Sequence, residues 1–323
     1  MTSGKFAAVV LVAAAASLVP AAFGQAWPAK TVRIIVPFAP GGSTDIQARL
    51  LAKKYYESMG QPFVVENRAG ASGMIGTEAV VRAPADGYTQ LFTSSSLSVN
   101  TTLFASRIKF DPLQDLAPVT WLSSVPLLLT IHPGVPVKSV RELVTLSKRQ
   151  KNGLNGGHNG SGTTSHIALE MFVQQAGANL VAIPYKGGGP ATTAILAGEI
   201  DLTFSTLTTV KPHVESGRLR ALAVTTRTRS GIFPELPTMD SLYADFESDN
   251  WFGLFVATGT PKEIIGKLHA AALDALKSAE MRDFILKDGG DPVGSTPDEL
   301  ASHLRREVAR YAKVIKAGNI KVD

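Results

Sequence analysis

Hydrophobic and polar positions alternate in blocks along this chain. Short apolar runs stand at "TVRIIVPF" (31–38), "PFVVEN" (62–67) and "YTQLFTS" (88–94), rich in the β-branched and aromatic residues that suit a pleated sheet. Between them Ala48, Leu51, Tyr55 and Met59 recur at helical spacing, and a second helical pattern covers 73–83. This β–α–β–α–β order predicts parallel strands with helices on the sheet faces. The rhythm returns with "LVAIPY" (180–185), a helix over 190–197 ended by Gly198, "IDLTFS" (200–205), "LRALAVTT" (219–226) and "WFGLFVA" (251–257). Two C-terminal helices are predicted from Thr260-Pro261-Lys-Glu263 and Thr296-Pro297-Asp-Glu299. Each has Thr at the N-cap, Pro at the first helical position and Glu three residues after the cap. The last helix runs through Leu300, Leu304, Val308, Tyr311 and Ile315 to Gly318.

Four loops share one design: an apolar strand, then a short run of Gly, Ser or Thr, then a helix start. They are Phe38 to Asp45 ("FAPGGSTD", with Thr44 and Gln47 at capping-box spacing), Thr93 to Ser96, Asn159 to His166 ("NGSGTTSH") and Tyr185 to Pro190 ("YKGGGP"). The first turn of a helix leaves N–H groups without intrahelical partners and carries partial positive charge. Glycine lets a ligand approach the backbone, and hydroxyls add hydrogen bonds without formal charge. In an open α/β sheet such corners gather at the carboxyl ends of the strands. Two from each half of the chain would line a cleft with neutral donors suited to a small anion; ordinary turn and cap chemistry is the competing explanation.

The first residues carry a different signal. Lys5 precedes an apolar stretch from Phe6 to Leu18, followed by Pro20 and small residues through Ala26. This pattern is that of a cleaved secretory signal over 1–26, too short to span a bilayer, with the mature chain starting near Trp27. The chain has no cysteine, which rules out thiolate nucleophiles, cysteine-held zinc and disulfides. Formal charge is +5, and the densest basic cluster, "SKRQK" at 147–151, has no interleaved aromatics; a nucleic-acid surface is not expected. A mild positive field still helps to collect anionic small molecules.

Enzyme signatures are missing. There is no G-x-x-x-x-G-K-[ST], no strand followed by G-x-G-x-x-G, no H-E-x-x-H and no G-x-S-x-G, and the six histidines show no metal-ligand spacing. A secreted hydrolase pairing Ser161 or Ser165 with His158 or His166 is the alternative enzymatic reading. No catalytic residue, metal or cofactor is assigned.

From end to end the mature chain resembles the Bug-type solute receptors of tripartite tricarboxylate transporters. The resemblance is carried by "WPAKTVRIIVPFAPGGSTDIQARLLA", "QPFVVENRAGASGMIGTEAV", "PADGYTQLFTSSS", "GSGTTSHIALEMF", "IPYKGGGPATTAILAGEIDLTFS", "LRALAVTTRTRS", "WFGLFVATGTPKEIIGKL" and "DPVGSTPDELASHLRREVARYAKVIKAG". It implies a two-lobed α/β periplasmic binding protein of the type II, Venus-flytrap class, each lobe a mixed sheet flanked by helices. The expected lobes are 27–126 with 250–323, and 127–249. Strands crossing near 122–130 and 246–252 would form the hinge.

The resemblance further implies a monomer that binds a small organic carboxylate in the periplasm and passes it to membrane transporter subunits; presentation of the ligand to a membrane kinase is a related role. The carboxylate is expected against Phe38, Gly41, Gly42, Ser43, Thr44 and Asp45 in the first lobe, with Ser95 and Ser96 nearby. From the second lobe, Ser161, Thr163, Ser165, Lys186, Gly187, Gly188 and Ser205 are expected to contribute. Many relatives carry an Asp in the strand that reads Thr203-Phe204-Ser205-Thr206 here. Its absence favours a plain mono- or dicarboxylate over an amino acid.

Overall fold

The computed structural model describes residues 27–185, 187–227 and 229–320; the signal-like leader and Lys186 lie outside them. In chain order the first lobe opens with β1 (Val32–Val36), α1 (Ser43–Met59), β2 (Phe63–Asn67), α2 (Met74–Val81), β3 (Thr89–Ser94), α3 (Ser96–Leu103) and α4 (Pro112–Asp115). The long strand β4 (Leu116–Ile131) follows, and then α5 (Val140–Arg149), β5 (Leu154–His158), α6 (Thr164–Ala176), β6 (Leu180–Pro184), α7 (Gly188–Ala197), β7 (Leu202–Thr206), α8 (Leu207–Glu215) and β8 (Arg220–Val224). The chain ends with β9 (Asp249–Ala257), α9 (Lys262–Lys277), α10 (Ala279–Lys287), β10 (Asp291–Pro292) and α11 (Pro297–Ala317).

Strand order explains why two lobes form. On one side β2, β1 and β3 pair in parallel, as the repeated βα pattern predicts, with Ile34 opposite Val65 and Gln90. β9 then runs antiparallel between β3 and β4. On the other side β6, β5 and β7 are parallel, and β7 and β8 both pair antiparallel with β4. β4 belongs to both sheets: Leu116 to Pro126 face β9, whereas Leu127 to Ile131 lie between β7 and β8. The return crossing is stitched to the same point, Thr225 N–H donating to Leu127 O (3.0 Å) and Ser248 N–H to Thr225 O (3.2 Å).

Each sheet buries its own apolar faces. Val32, Ile34, Leu51, Tyr55 and Phe92 sit in a core of the first lobe, and Leu143, Ile167, Phe172 and Phe204 in a core of the second. The C-terminal helix is shared. Its Leu300 and Leu304 enter a first-lobe core with Trp251, while Tyr311 and Ile315 enter the second-lobe core with Phe172. The Thr296–Glu299 capping box forms as predicted, but Thr260 instead bonds Ala257 O, leaving Pro261 as the N-cap of α9. The predicted pair of C-terminal helices is in fact three, because Ser278 caps a separate α10 directly after α9. Among the described residues no helix is long and apolar enough to cross a membrane.

Candidate functional site

The first corner is built by β1 and α1. Gly42 is the N-cap of α1 in an extended conformation (φ −82°, ψ 167°), and no side chain caps the helix. The Thr44–Gln47 box predicted from spacing does not form: Thr44 lies inside the first turn, and Gln47 is buried with Oε1 accepting from Ser123 Oγ at 2.7 Å. The helix start is therefore left without a side-chain cap, as an anion site requires.

Asp45 turns back into the loop. Its carboxylate accepts from Gly41 N–H (2.9 Å), Arg49 Nε (3.0 Å) and Asn67 Nδ2 (2.9 Å), and Asn67 also donates to Phe38 O (3.1 Å). Burial alone would raise this carboxyl, yet Arg49, the Gly41 N–H and Asn67 outweigh it and hold Asp45 below its ordinary range. Gly41, at φ +88°, adopts the left-handed turn that this brace closes. Asp45 thus shapes the corner from behind, and its carboxylate oxygens are already engaged.

In the second lobe, β5 leads into the loop before α6. Thr163 caps that helix itself, Oγ1 accepting from His166 N–H at 3.3 Å and donating to Gly160 O at 2.7 Å. Ser165 Oγ donates to Phe204 O at 2.6 Å and is buried. Ser161 is half-buried at the tip of the loop. α7 begins earlier than the sequence predicts, at Gly188, with Gly187 (φ +109°) as an N-cap that provides no side-chain bond. Lys186 lies outside the described residues. Ser205 is buried inside the sheet, sharing a hydrogen bond with Thr203 Oγ1 at 3.2 Å, so its hydroxyl is directed at a neighbouring strand residue.

A circuit of contacts links these corners. Phe38 packs against the Gly73 turn, a Cβ on Gly73 falling 3.4 Å from Phe38 Cζ. Next to it Ser72 Oγ donates across the lobes to Ser161 O at 2.8 Å. Asn159 O takes the Gly187 N–H at 3.1 Å, and Gly188 faces Thr209, which bonds back to Thr206 O at 2.9 Å. Leu207 lies so close to Gly289 that a Cβ there would strike it, and the adjacent Asp288 accepts from Ser43 Oγ at 3.1 Å. The circuit returns to the first corner after crossing between lobes twice. Ser95 lies between the two halves: Oγ meets Thr164 Oγ1 at 2.9 Å and donates to Asn250 Oδ1 at 2.8 Å beside the crossing strands, with Ser96 buried alongside.

Several members of this ring were not found by pattern. Ser72 stands at φ +52°, a left-handed conformation uncommon outside glycine, and nothing in "AGASGM" signals it. Asp288 comes from the end of α10, the helix the periodicity missed. Asn159 lies in a predicted loop, but only the structure shows its Oδ1 buried and without a hydrogen-bond partner among the described residues. Also among the described residues, no group of three or more histidines and acids converges as metal ligands would.

With this geometry in place, the chain was compared with known proteins. Residues 47–320 match the family described as tripartite tricarboxylate transporter family receptor. Protein BugT of Bordetella pertussis is 39% identical over 299 residues, covering 92% of this chain and 91% of that protein. The solved structure of R. palustris Rpa4515 with adipate superimposes with a TM-score of 0.84 at 34% identity, covering 91% of this chain and 99% of that one. MatC from Rhodopseudomonas palustris with bound malate gives 0.80 at 29% identity, covering 90% and 100%. These likenesses run over nine-tenths of the chain, and the chain belongs to the receptor family of the tripartite tricarboxylate transporters.

Proposed function

We propose that this receptor traps a small organic carboxylate between its lobes in the periplasm and delivers it, as a monomer, to the membrane subunits of a tripartite tricarboxylate transporter. The observation that carries the reading is the closed ring of contacts joining two uncapped helix starts, α1 at Gly42 and α7 at Gly187, from opposite lobes. Positive helix ends and unpaired N–H groups stabilise a carboxylate without a paired cation, and closure removes it from water. In this reading residues 27–126 with 250–323 make one lobe and 127–249 the other.

The acid lies against the backbone of Gly41 to Thr44 with Phe38 over it, and meets Ser161, Thr163, Gly187 and Gly188 from the second lobe. Relatives solved with adipate and malate support an acid of that class. The lack of a carboxylate at Thr203 to Thr206 favours a mono- or dicarboxylate over an amino acid. A receptor role is supported over catalysis by the hydroxyls and imidazoles themselves. Ser165 Oγ donates to a backbone carbonyl, and the Nδ1 atoms of His158 and His166 accept from the backbone N–H groups of Gly160 and Gly162.

Calorimetric titration with mono-, di- and tricarboxylates tests the proposal. Micromolar binding of at least one acid, about −8 kcal/mol, with the acid recovered unchanged after denaturation, is the expected result. Failure of every acid to bind or to raise the melting temperature, or conversion of the acid on standing, overturns it.

A further inference from the structure

The loop that presents Ser161 is held from inside by two histidines. His158, at the end of β5, and His166, in the first turn of α6, stack with ring centroids 4.3 Å apart and planes 27° from parallel. His158 Nδ1 accepts from Gly160 N–H at 3.3 Å, and His166 Nδ1 accepts from Gly162 N–H at 3.2 Å. The two bonds flank Ser161, whose carbonyl takes the Ser72 hydroxyl across the lobes. Gly160 and Gly162 adopt φ +121° and +75°, so their N–H groups are turned toward the rings by a backbone that other residues rarely adopt.

An imidazole nitrogen accepts a backbone N–H only while it is unprotonated, which fixes both rings as Nε2–H tautomers. A proton on either Nδ1 sets two donors against each other and breaks that anchor. We propose that His158 and His166 are positioning residues for the second-lobe binding loop: their neutral Nδ1 atoms pin the backbone on both sides of Ser161, and protonating the pair releases the loop and weakens ligand capture.

The surroundings agree with this role. Both rings are buried, and burial lowers the basicity of each, outweighing an upward pull on His158 from the Gly160 backbone; for His166, burial and then the neighbouring His158 push its pKa down to about 4. The acid facing the pair is Glu170 on α6, its Oε1 3.7 Å from His166 Nε2, and burial raises its own carboxyl. Tyr185, following β6, gives its backbone N–H to His158 O. Among the described residues no other acid or base lies within ion-pair distance of either ring.

This inference rests on the carboxylate-receptor reading for its consequence but not for its test, which starts from the ligand-free protein. Imidazole nitrogen shifts are expected to report Nε2–H tautomers for both rings at pH 7.5, with slow exchange of the Gly160 and Gly162 amides. His166→Leu removes one acceptor, and protection of the Gly162 amide falls about fivefold to tenfold, the worth of one hydrogen bond. His166→Asn supplies Oδ1 near the Nδ1 position without a titrating group, so protection is retained and its loss as pH falls toward 4 is abolished. Nδ1–H tautomers, unprotected glycine amides, or a His166→Asn pH profile that matches the parent protein overturn the proposal. Titrating adipate against the parent protein and His166→Asn in parallel from pH 7.5 to 4 then reads the consequence, the shared part of the pH dependence being adipate's own protonation. Failure of adipate to bind with the loop measurements intact counts against the adipate-like ligand and leaves the histidine anchors standing; an identical pH dependence of affinity in the two proteins rules out their role in capture.

Discussion

The corners at 38–45 and 159–166, one from each half of the chain, are written in the same letters, glycine beside serine and threonine before a helix, yet opposite chemistry holds them. The first is braced by a charge: the Asp45 carboxylate gathers Gly41, Arg49 and Asn67, and its helix start is left without a cap. The second is braced by neutral groups, with Thr163 capping α6 and two imidazoles taking the glycine N–H groups. A shared motif therefore says where a helix-starting corner sits and not how it is kept in shape. The brace comes from residues outside the motif, Arg49 and Asn67 in one case and His158 in the other.

Acid should separate the two corners most strongly. His166 titrates near 6.5 when exposed in the unfolded chain and near 4 when folded, so between these values the unfolded chain binds a proton that the folded one refuses. Its contribution is complete above pH 6.5 and declines as pH falls toward 4, by on the order of 3 kcal/mol across that window. Glu170, raised by burial, acts in the opposite sense, so the difference between the parent and His166→Asn in urea unfolding at successive pH values isolates the histidine. Asp45 is lowered below 3.8, and its corner keeps its bonds throughout the same range. A second-lobe loop no more acid-sensitive than the first would erase the contrast.

Removing the charged brace comes next. Asp45→Ala strands Arg49, Asn67 and the Gly41 N–H, and is expected to cost about 2–3 kcal/mol in unfolding free energy, with weaker capture of adipate. Ser72→Ala deletes the hydroxyl that joins the corners across the cleft. Its expected effect is about 1 kcal/mol, read as roughly fivefold faster release of the acid with little change in melting temperature. The smallest effect has two signs. Gly42 is extended, with open space where a Cβ would stand, so Gly42→Ser adds a cap and stabilises α1 by a few tenths of a kcal/mol. The same hydroxyl occupies a donor intended for the ligand, so adipate affinity should fall while stability rises. Parallel changes in both would show that the open start is incidental.

Much of this was legible in the sequence because period and punctuation are local. The strands around Ile34, Leu91 and Phe204, the four Gly/Ser/Thr corners and the Thr296 box all follow from short-range rules, and each appears in the structure. Pattern failed where a distant partner decides. Gln47 has the spacing of a capping residue, but Ser123 on β4 claims its amide oxygen. Ser205 reads as a hydroxyl at a strand end, and only the structure shows its Oγ shared with Thr203 on the same face of the same strand. Thr260 and Thr296 precede proline and glutamate alike, yet only Thr296 caps, since Thr260 finds the Ala257 carbonyl first. The ring itself, with Ser72 meeting Ser161 and Leu207 meeting Gly289, rests on long-range contacts that no periodicity encodes.

The shared C-terminal helix makes one further point. α11 is seated at one end beside Trp251 and at the other beside Phe172, and Arg310 near its middle holds Glu307 and the backbone of Glu247. A rod seated in both halves works as a tie. Any stroke that shifts one half against the other, prying or swivelling alike, has to carry the helix with one half and draw Leu300 and Leu304, or Tyr311 and Ile315, from their oily seat toward water.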